Sequence, residues 1–199
     1  MIHGKYITLR MARLDERKFI YEIALSTDIY CDVWDSFADF EIEYTERYYD
    51  MREPTICGCM LIYLGERPIG FTIYDQNSYE DGWIQSGVMT ISDICMHGES
   101  NCGKGYGSDA AKTLMKHLHE QYAIHTFFTH INKLNPRSIR AAEKAGFVKV
   151  NDCDKPSVHE RLFTPKAMES PLFEDTYLSD DEVLMLCKYS STGKVRRCG

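Results

Sequence analysis

At 199 residues, 44% of them hydrophobic, the chain is long enough for one fair-sized core. Its formal charge of −7, without a basic stripe, argues against a nucleic-acid partner and suits a cationic one. No apolar run approaches a membrane span and the N-terminus lacks a basic-then-apolar leader, so no membrane association and a cytoplasmic location are expected.

In chain order, Tyr6 to Arg13 alternates apolar and polar residues as a strand does. Asp15 to Leu25 places Phe19, Ile20, Ile23 and Ala24 along one face of an amphipathic helix. Tyr30 to Tyr44 is aromatic and acidic with poor periodicity, and Glu46 to Met51 reads as a short helix stopped near Pro54. Cys59 to Leu64 and Ile69 to Tyr74 are strands around a Gly65-Glu66-Arg67-Pro68 turn. Asn77 to Gly82 is a polar turn into a long strand that includes Val88 to Met96. A helix from Ser108 to Tyr122 and a strand from Ile124 to Ile131 follow. Next comes a short helix capped by Asn135, with Pro136 in its first position and Gly146 at its end. Residues 151–182, polar and broken by Pro156, Pro165 and Pro171, read as a long loop that covers a substrate cleft or builds a dimer contact. Val183 to Cys187 is the last strand, and residues 191–199 read as a disordered tail. The whole is an α+β fold, a single domain over residues 1–190 with a mixed central sheet flanked by helices. The eight cysteines are scattered: Cys57-Gly58-Cys59 is CxC and no Cys/His spacing supports zinc, so thiols and no metal are expected.

The chemistry concentrates at Gly103-Lys104-Gly105-Tyr106-Gly107. Alternate glycines leave a backbone without Cβ atoms and tolerant of positive φ. The helix that follows points its first unpaired N–H groups back into the loop, a nest suited to phosphate. A plain tight turn also accounts for such a loop. The strand before it and the strand and capped helix after it supply the context that a turn alone lacks.

That order and those residues resemble the GNAT superfamily of acetyl-CoA-dependent N-acetyltransferases, over about residues 5 to 150. The family's loop, Gln/Arg-x-x-Gly-x-Gly/Ala, corresponds to Cys102 through Gly107, with Cys102 where Gln or Arg is usual. Its later helix, Asn-x-x-Ala-x-x-x-Tyr-Glu-Lys-x-Gly-Phe, is matched by Asn135, Glu143, Lys144, Gly146 and Phe147. Ser138 replaces the Ala and Ala142 the Tyr. The resemblance implies the GNAT fold, with a splayed strand pair and a glycine-loop pyrophosphate site, and acetyl-CoA as cofactor. It implies that Cys102, Gly103, Lys104, Gly105, Tyr106, Gly107 and Ser108 meet the pyrophosphate. Backbone groups of Ile94, Cys95 and Met96 would pair with the pantetheine amides like an added strand. Asn135 would reach the pantetheine arm and Arg140 a cofactor phosphate. Lys104 and Arg140 also read as solvated cations, and N-capping alone explains Asn135.

An attacking amine must lose a proton, so a positioned base is expected. Asp93 is the candidate: it sits in an otherwise apolar strand, ten residues before Gly103, where a carboxylate is costly unless it faces a site. Pairing with backbone or a lysine is the other reading. Asp81-Gly82-Trp83 through Gly107 also resembles the aminoglycoside 6′-N-acetyltransferases, which carry an Asp at that distance from Gly-Lys-Gly-x-Gly. The usual general acid, the helix Tyr, is absent at Ala142. His130 is a candidate auxiliary base.

Trp34, Asp35, Tyr79, Glu80 and Asp81, with Asp39 nearby, would line an aromatic, anionic acceptor pocket suited to an ammonium group. Core aromatics and surface acids are the alternative. The expected activity is acetyl transfer to a small cationic amine, of the aminoglycoside kind (an antibiotic-resistance activity) or a polyamine, by a monomer or homodimer. Two other readings stay open: acetylation of protein N-termini, as in ribosomal-protein N-acetyltransferases, and a non-catalytic acyl-CoA-binding sensor, which Ala142 favours.

Overall fold

The computed structural model describes residues 1–26, 36–45, 57–76, 83–171, 173, 179, 181–189 and 195–196. They divide between two units, residues 1–74 with 93–114 and residues 75–92 with 115–199. The sequence readings for Glu46 to Met51 and Asn77 to Gly82 lie outside the described residues.

The first unit begins with β1 (Ile2–His3) and β2 (Thr8–Met11), then a short 3-10 turn, Leu14–Glu16, that runs into α1 (Arg17–Leu25). α2 (Phe37–Thr45), β3 (Cys57–Leu64) and β4 (Arg67–Asp75) follow. α1 buries Ile20, Ile23 and Ala24, the face its spacing predicted, with Phe19 partly covered. They pack on Ala12, Phe40, Leu61, Phe71 and Cys95. A fully buried Ile of this kind stabilises by about 1.5–3 kcal/mol. α2 forms where periodicity was poor, because aromatic packing outweighs the weak pattern: Tyr21 lies 5.4 Å from Phe37 and 5.2 Å from Phe40, ring to ring. At its start Ser36 Oγ accepts from Asp39 N at 3.2 Å, as an N-cap does. The hairpin turn is shorter than expected: β4 already includes Arg67 and Pro68.

β5 (Val88–Met96) matches its predicted span. Residues 93–96 of it belong to the first unit, where the strand order is β1-β2-β3-β4-β5. His97 N donates to Ile69 O at 2.7 Å at its end. A Cβ on Gly70 would lie 2.3 Å from Cys95 O, so only glycine lets β4 approach β5 so closely. α3 (Tyr106–Tyr122) starts two residues earlier than its apolar spacing indicated, and its residues 106–114 also belong to this unit.

The second unit holds residues 88–92 of β5, the end of α3, β6 (Thr126–Asn132), α4 (Pro136–Ala145), β7 (Val148–Lys149), α5 (Lys155–Leu162), α6 (Pro165–Met168), β8 (Glu182–Tyr189) and β9 (Val195–Arg196). Its strand order is β5-β6-β8-β7, with β9 on β8. β5 and β6 are parallel, whereas β6–β8, β7–β8 and β8–β9 are antiparallel. The core gathers Trp83, Phe128, Leu162, Phe163, Phe173 and Leu184.

Two expectations are corrected here. The segment expected as a long loop contains a 3-10 turn, Asp152–Asp154, and the helices α5 and α6. Pro156 and Pro165 are not breaks: each occupies the first turn of a helix, where its missing N–H costs no hydrogen bond. The corner after α5 is bound edge-on by residues 83–85. Gln85 N donates to Leu162 O, and Thr164 N to Trp83 O, both at 2.8 Å. The tail expected as disordered supplies β9, paired through Lys188↔Arg196 and Tyr189↔Val195. The rest of residues 191–199 lies outside the described residues.

Candidate active site

In the second unit the β5–β6 ladder runs through Val88↔Thr126, Met89↔Phe127 and Thr90↔Phe128. Among the described residues no pair of that ladder lies beyond Thr90↔Phe128, although β5 continues to Met96. Along that continuation Ser92 is exposed, Asp93, Ile94 and Met96 are partly buried, and Cys95 is buried. Burial pushes the Cys95 thiol well above its ordinary range, and the Asp93 carboxylate and Cys59 add to the effect.

After β5 the chain turns at Gly98, forms a 3-10 turn over Glu99–Asn101, and enters the glycine loop. Gly103 and Gly105 have φ of +75° and +88°. A Cβ on Gly103 would meet nothing within 4 Å, so conformation, not space, demands glycine there. At Gly107, inside α3, a Cβ would lie at ordinary contact distance, 3.4 Å from Ile94 Cγ2 and 4.0 Å from Met96 Sδ. The loop and the end of β5 are thus brought together in one unit. Asp109 N donates to Gly105 O at 2.9 Å and opens the helical ladder, so the amides of Tyr106, Gly107 and Ser108 lie ahead of it. Ser108 Oγ donates to Gly105 O at 2.9 Å and steadies the turn.

Two residues that sequence reasoning passed over shape this loop. Asp109 stands in the first turn of α3, where a carboxylate competes with any phosphate for the same positive helix end. Here it is turned to the N-terminal segment, accepting from the amides of Lys5 at 3.1 Å, Tyr6 at 2.6 Å and Ile7 at 3.2 Å. Asn101 is only 7% exposed. Its Nδ2 donates to His97 O at 2.5 Å and its Oδ1 accepts from Arg67 Nη2 at 3.2 Å. Neither contact had a local signal, because each joins segments far apart in the sequence or depends on the turn's own geometry.

Cys102 is half-buried with Sγ 3.8 Å from Gly98 O, while Lys104 is exposed. In the second unit, Asn135 caps α4 as its sequence position indicated: Oδ1 accepts from Ser138 N at 3.0 Å. Gly146 ends the helix with φ of +109°. Arg140 is exposed on α4 and Ala142 is partly buried. His130 is turned into the core, its ring 5.8 Å from Phe128 and 6.0 Å from His159. Burial, with the nearby His159 and Lys155, pushes its pKa down to about 3, so the expected auxiliary base is a poor one at neutral pH. The expected acceptor residues Trp34, Asp35, Tyr79, Glu80 and Asp81 lie outside the described residues. Among the described residues no group of three or more His, Cys, Asp or Glu is placed to hold a metal, and no helix is long and apolar enough to cross a membrane.

A strand whose ladder ends early, a positive-φ glycine loop and a helix with open first-turn amides form a diagnostic set. A family model described as an acetyltransferase (GNAT) domain matches residues 7–148. This chain belongs to the GNAT acetyltransferase family. No curated protein matches it. Solved GNAT structures share the fold. AAC(6')-Ib in complex with paromomycin and acetyl-CoA is 21% identical with a TM-score of 0.64, over 92% of this chain and 93% of that one. A chimera of the Vibrio cholerae spermidine N-acetyltransferase SpeG and hSSAT is 16% identical with a TM-score of 0.63, over 92% and 95%. A GNAT acetyltransferase from Bacillus anthracis is 14% identical with a TM-score of 0.63, over 94% and 97%.

Proposed function

We propose that this GNAT protein transfers an acetyl group from acetyl-CoA to the primary amine of a small cationic acceptor, an aminoglycoside or polyamine. The observation that carries the reading is the loop from Gly103 to Ser108. Its positive-φ glycines precede three α3 amides outside the helical ladder, and the one carboxylate of that turn is engaged elsewhere. Those amides and Lys104 would hold the pyrophosphate. Tyr106 and Ser108 would act through their backbone N–H groups, and Cys102 through the turn it closes. Ile94, Cys95 and Met96 would present backbone groups to the pantetheine along the part of β5 beyond the β6 ladder. The capping role of Asn135 Oδ1 leaves its side-chain nitrogen for the pantetheine, and Arg140 is exposed for a phosphate.

Acetyl-CoA supplies the activated acetyl group. Asp93 accepts the proton that the amine sheds as its nitrogen bonds to the carbonyl carbon and the carbon–sulfur bond breaks. The sulfur leaves as thiolate and takes its proton from solvent, because Ala142 has none to give. A net charge of −7 favours encounter with a cation. Structural neighbours solved with an aminoglycoside or named for spermidine acetylation support that acceptor class. We place the working enzyme, a monomer or homodimer, in the cytoplasm.

The test measures thiol release from acetyl-CoA with aminoglycosides, polyamines and short basic peptides, after subtracting the rate without acceptor. Turnover with a small amine is the expected result. Turnover with peptides only would move the assignment to protein N-termini. Acetyl-CoA binding without turnover on any acceptor would favour the sensor reading that Ala142 raises.

A further inference from the structure

One cation outside the glycine loop is tied to the turn that leads into it. Cys102 stands where the family's loop usually carries Gln or Arg, and Lys104 is an exposed, long side chain that loses much rotamer entropy when it is fixed. Arg67, at the start of β4, differs. It is exposed, yet its guanidinium is held: Nη2 donates to Oδ1 of the buried Asn101 at 3.2 Å. Asn101 is itself fixed by its 2.5 Å bond to His97 O and by its amide, which donates to Gly98 O at 3.1 Å. Pro68 confines the backbone of Arg67 to an extended conformation, so the direction of the side chain is set as well.

No carboxylate lies within ion-pair distance of Arg67 among the described residues. One of its five N–H donors is spent on Asn101. Asn101 is followed directly by Cys102 and Gly103, so the held guanidinium is bonded to the turn that leads into the glycine loop. An oriented arginine with no carboxylate partner among the described residues, bonded to the turn before a glycine loop, has the chemistry of a phosphate ligand.

We infer that Arg67, oriented by Asn101, is a phosphate-binding residue for the cofactor, supplying the fixed positive charge that position 102 lacks. This rests on the glycine loop being the coenzyme A site. The phosphate concerned is the pyrophosphate or the 3′-phosphate, and comparison of coenzyme A with 3′-dephospho-coenzyme A separates them.

The experiment is calorimetric titration of the full chain with both ligands at low and high salt, on wild type, R67A, R67K and N101D. R67A is expected to weaken coenzyme A binding about tenfold and to flatten its salt dependence. Its melting temperature should stay within about 2 °C of wild type, because Arg67 is an exposed residue. R67K is expected to recover part of the affinity, since charge returns without the fork. N101D keeps an acceptor for Arg67 but adds a carboxylate that neutralises it, and is expected to weaken binding as much as R67A does. If dephospho-coenzyme A shows the same loss in R67A, the contact is to pyrophosphate; if the loss vanishes, it is to the 3′-phosphate. Wild-type binding with an R67A affinity and salt slope equal to wild type would overturn the inference alone. Absence of wild-type binding would overturn the coenzyme A site and this inference with it.

Discussion

Replacing His159 by Phe is expected to make the protein markedly less sensitive to acid. His159 on α5 is 2% exposed, and both of its ring nitrogens are buried without a hydrogen-bond partner among the described residues. Its ring lies 5.8 Å from Phe163, 5.9 Å from Phe173 and 6.0 Å from His130. The charged groups around it do not favour a second positive charge: Lys155 Nζ donates to Glu182 O at 3.2 Å and pairs with Asp152 at 3.0 Å. Burial first, and Lys155 second, push its pKa down from 6.5 to about 4. The sign follows from which state binds protons. As pH falls below 6.5 the unfolded chain protonates His159 and the folded chain does not, so stability is lost from there until the folded group titrates near 4. At roughly 1.36 kcal/mol per unit, that interval amounts to about 3 kcal/mol for this one side chain. Against a typical domain stability of about 5–15 kcal/mol the loss is large. Phe fits a site already lined by rings and removes both the titration and the two buried nitrogens, so the variant should be no less stable at pH 7. Urea denaturation at pH 7, 5.5 and 4.5 would measure it. Wild type should lose about 2.5 kcal/mol more than H159F across that range. Equal losses in the two proteins would show that His159 is not neutral and buried as described.

Three further outcomes are expected. D93N should cut turnover by about 100-fold or more and leave coenzyme A affinity nearly intact, because the role proposed for Asp93 is to take the amine's proton and not to hold the cofactor; unchanged turnover would remove it from that role. G105V places a β-branched residue at φ of +88°, so cofactor affinity should fall at least tenfold in titration, and undiminished affinity would contradict the phosphate role of the loop. A123G should stabilise the protein by about 1 kcal/mol in thermal or urea unfolding. Ala123, which follows α3, has φ of +57°, which glycine adopts without strain, and a destabilised variant would argue against that backbone geometry.

Local chemistry made much of the candidate site legible. β5 is apolar and β-branched over its span, the glycines of the loop take the positive φ that only they tolerate cheaply, and Asn135, Pro136 and Gly146 bound α4 as their chemistry requires. Each of these is a property of a few neighbouring residues, so sequence alone determined it, and with it the family. What tertiary structure decided involves partners distant along the chain. Aromatic packing makes α2 helical despite its weak periodicity, and the edge formed by residues 83–85 docks the corner after α5. Pro156 and Pro165 read in the sequence as breaks in a loop, whereas in the fold each is a first-turn residue of a helix. Asp109 faces Lys5 to Ile7 across more than a hundred residues, and Arg67 meets Asn101 from another strand. His130 reads in the sequence as a base beside the reaction, but only the folded core, which removes it from water next to His159, makes it one that stays unprotonated. Backbone propensities are local and can be read in order. Burial and the hydrogen bonds that close across the fold depend on which surfaces meet, and only the assembled structure contains that information.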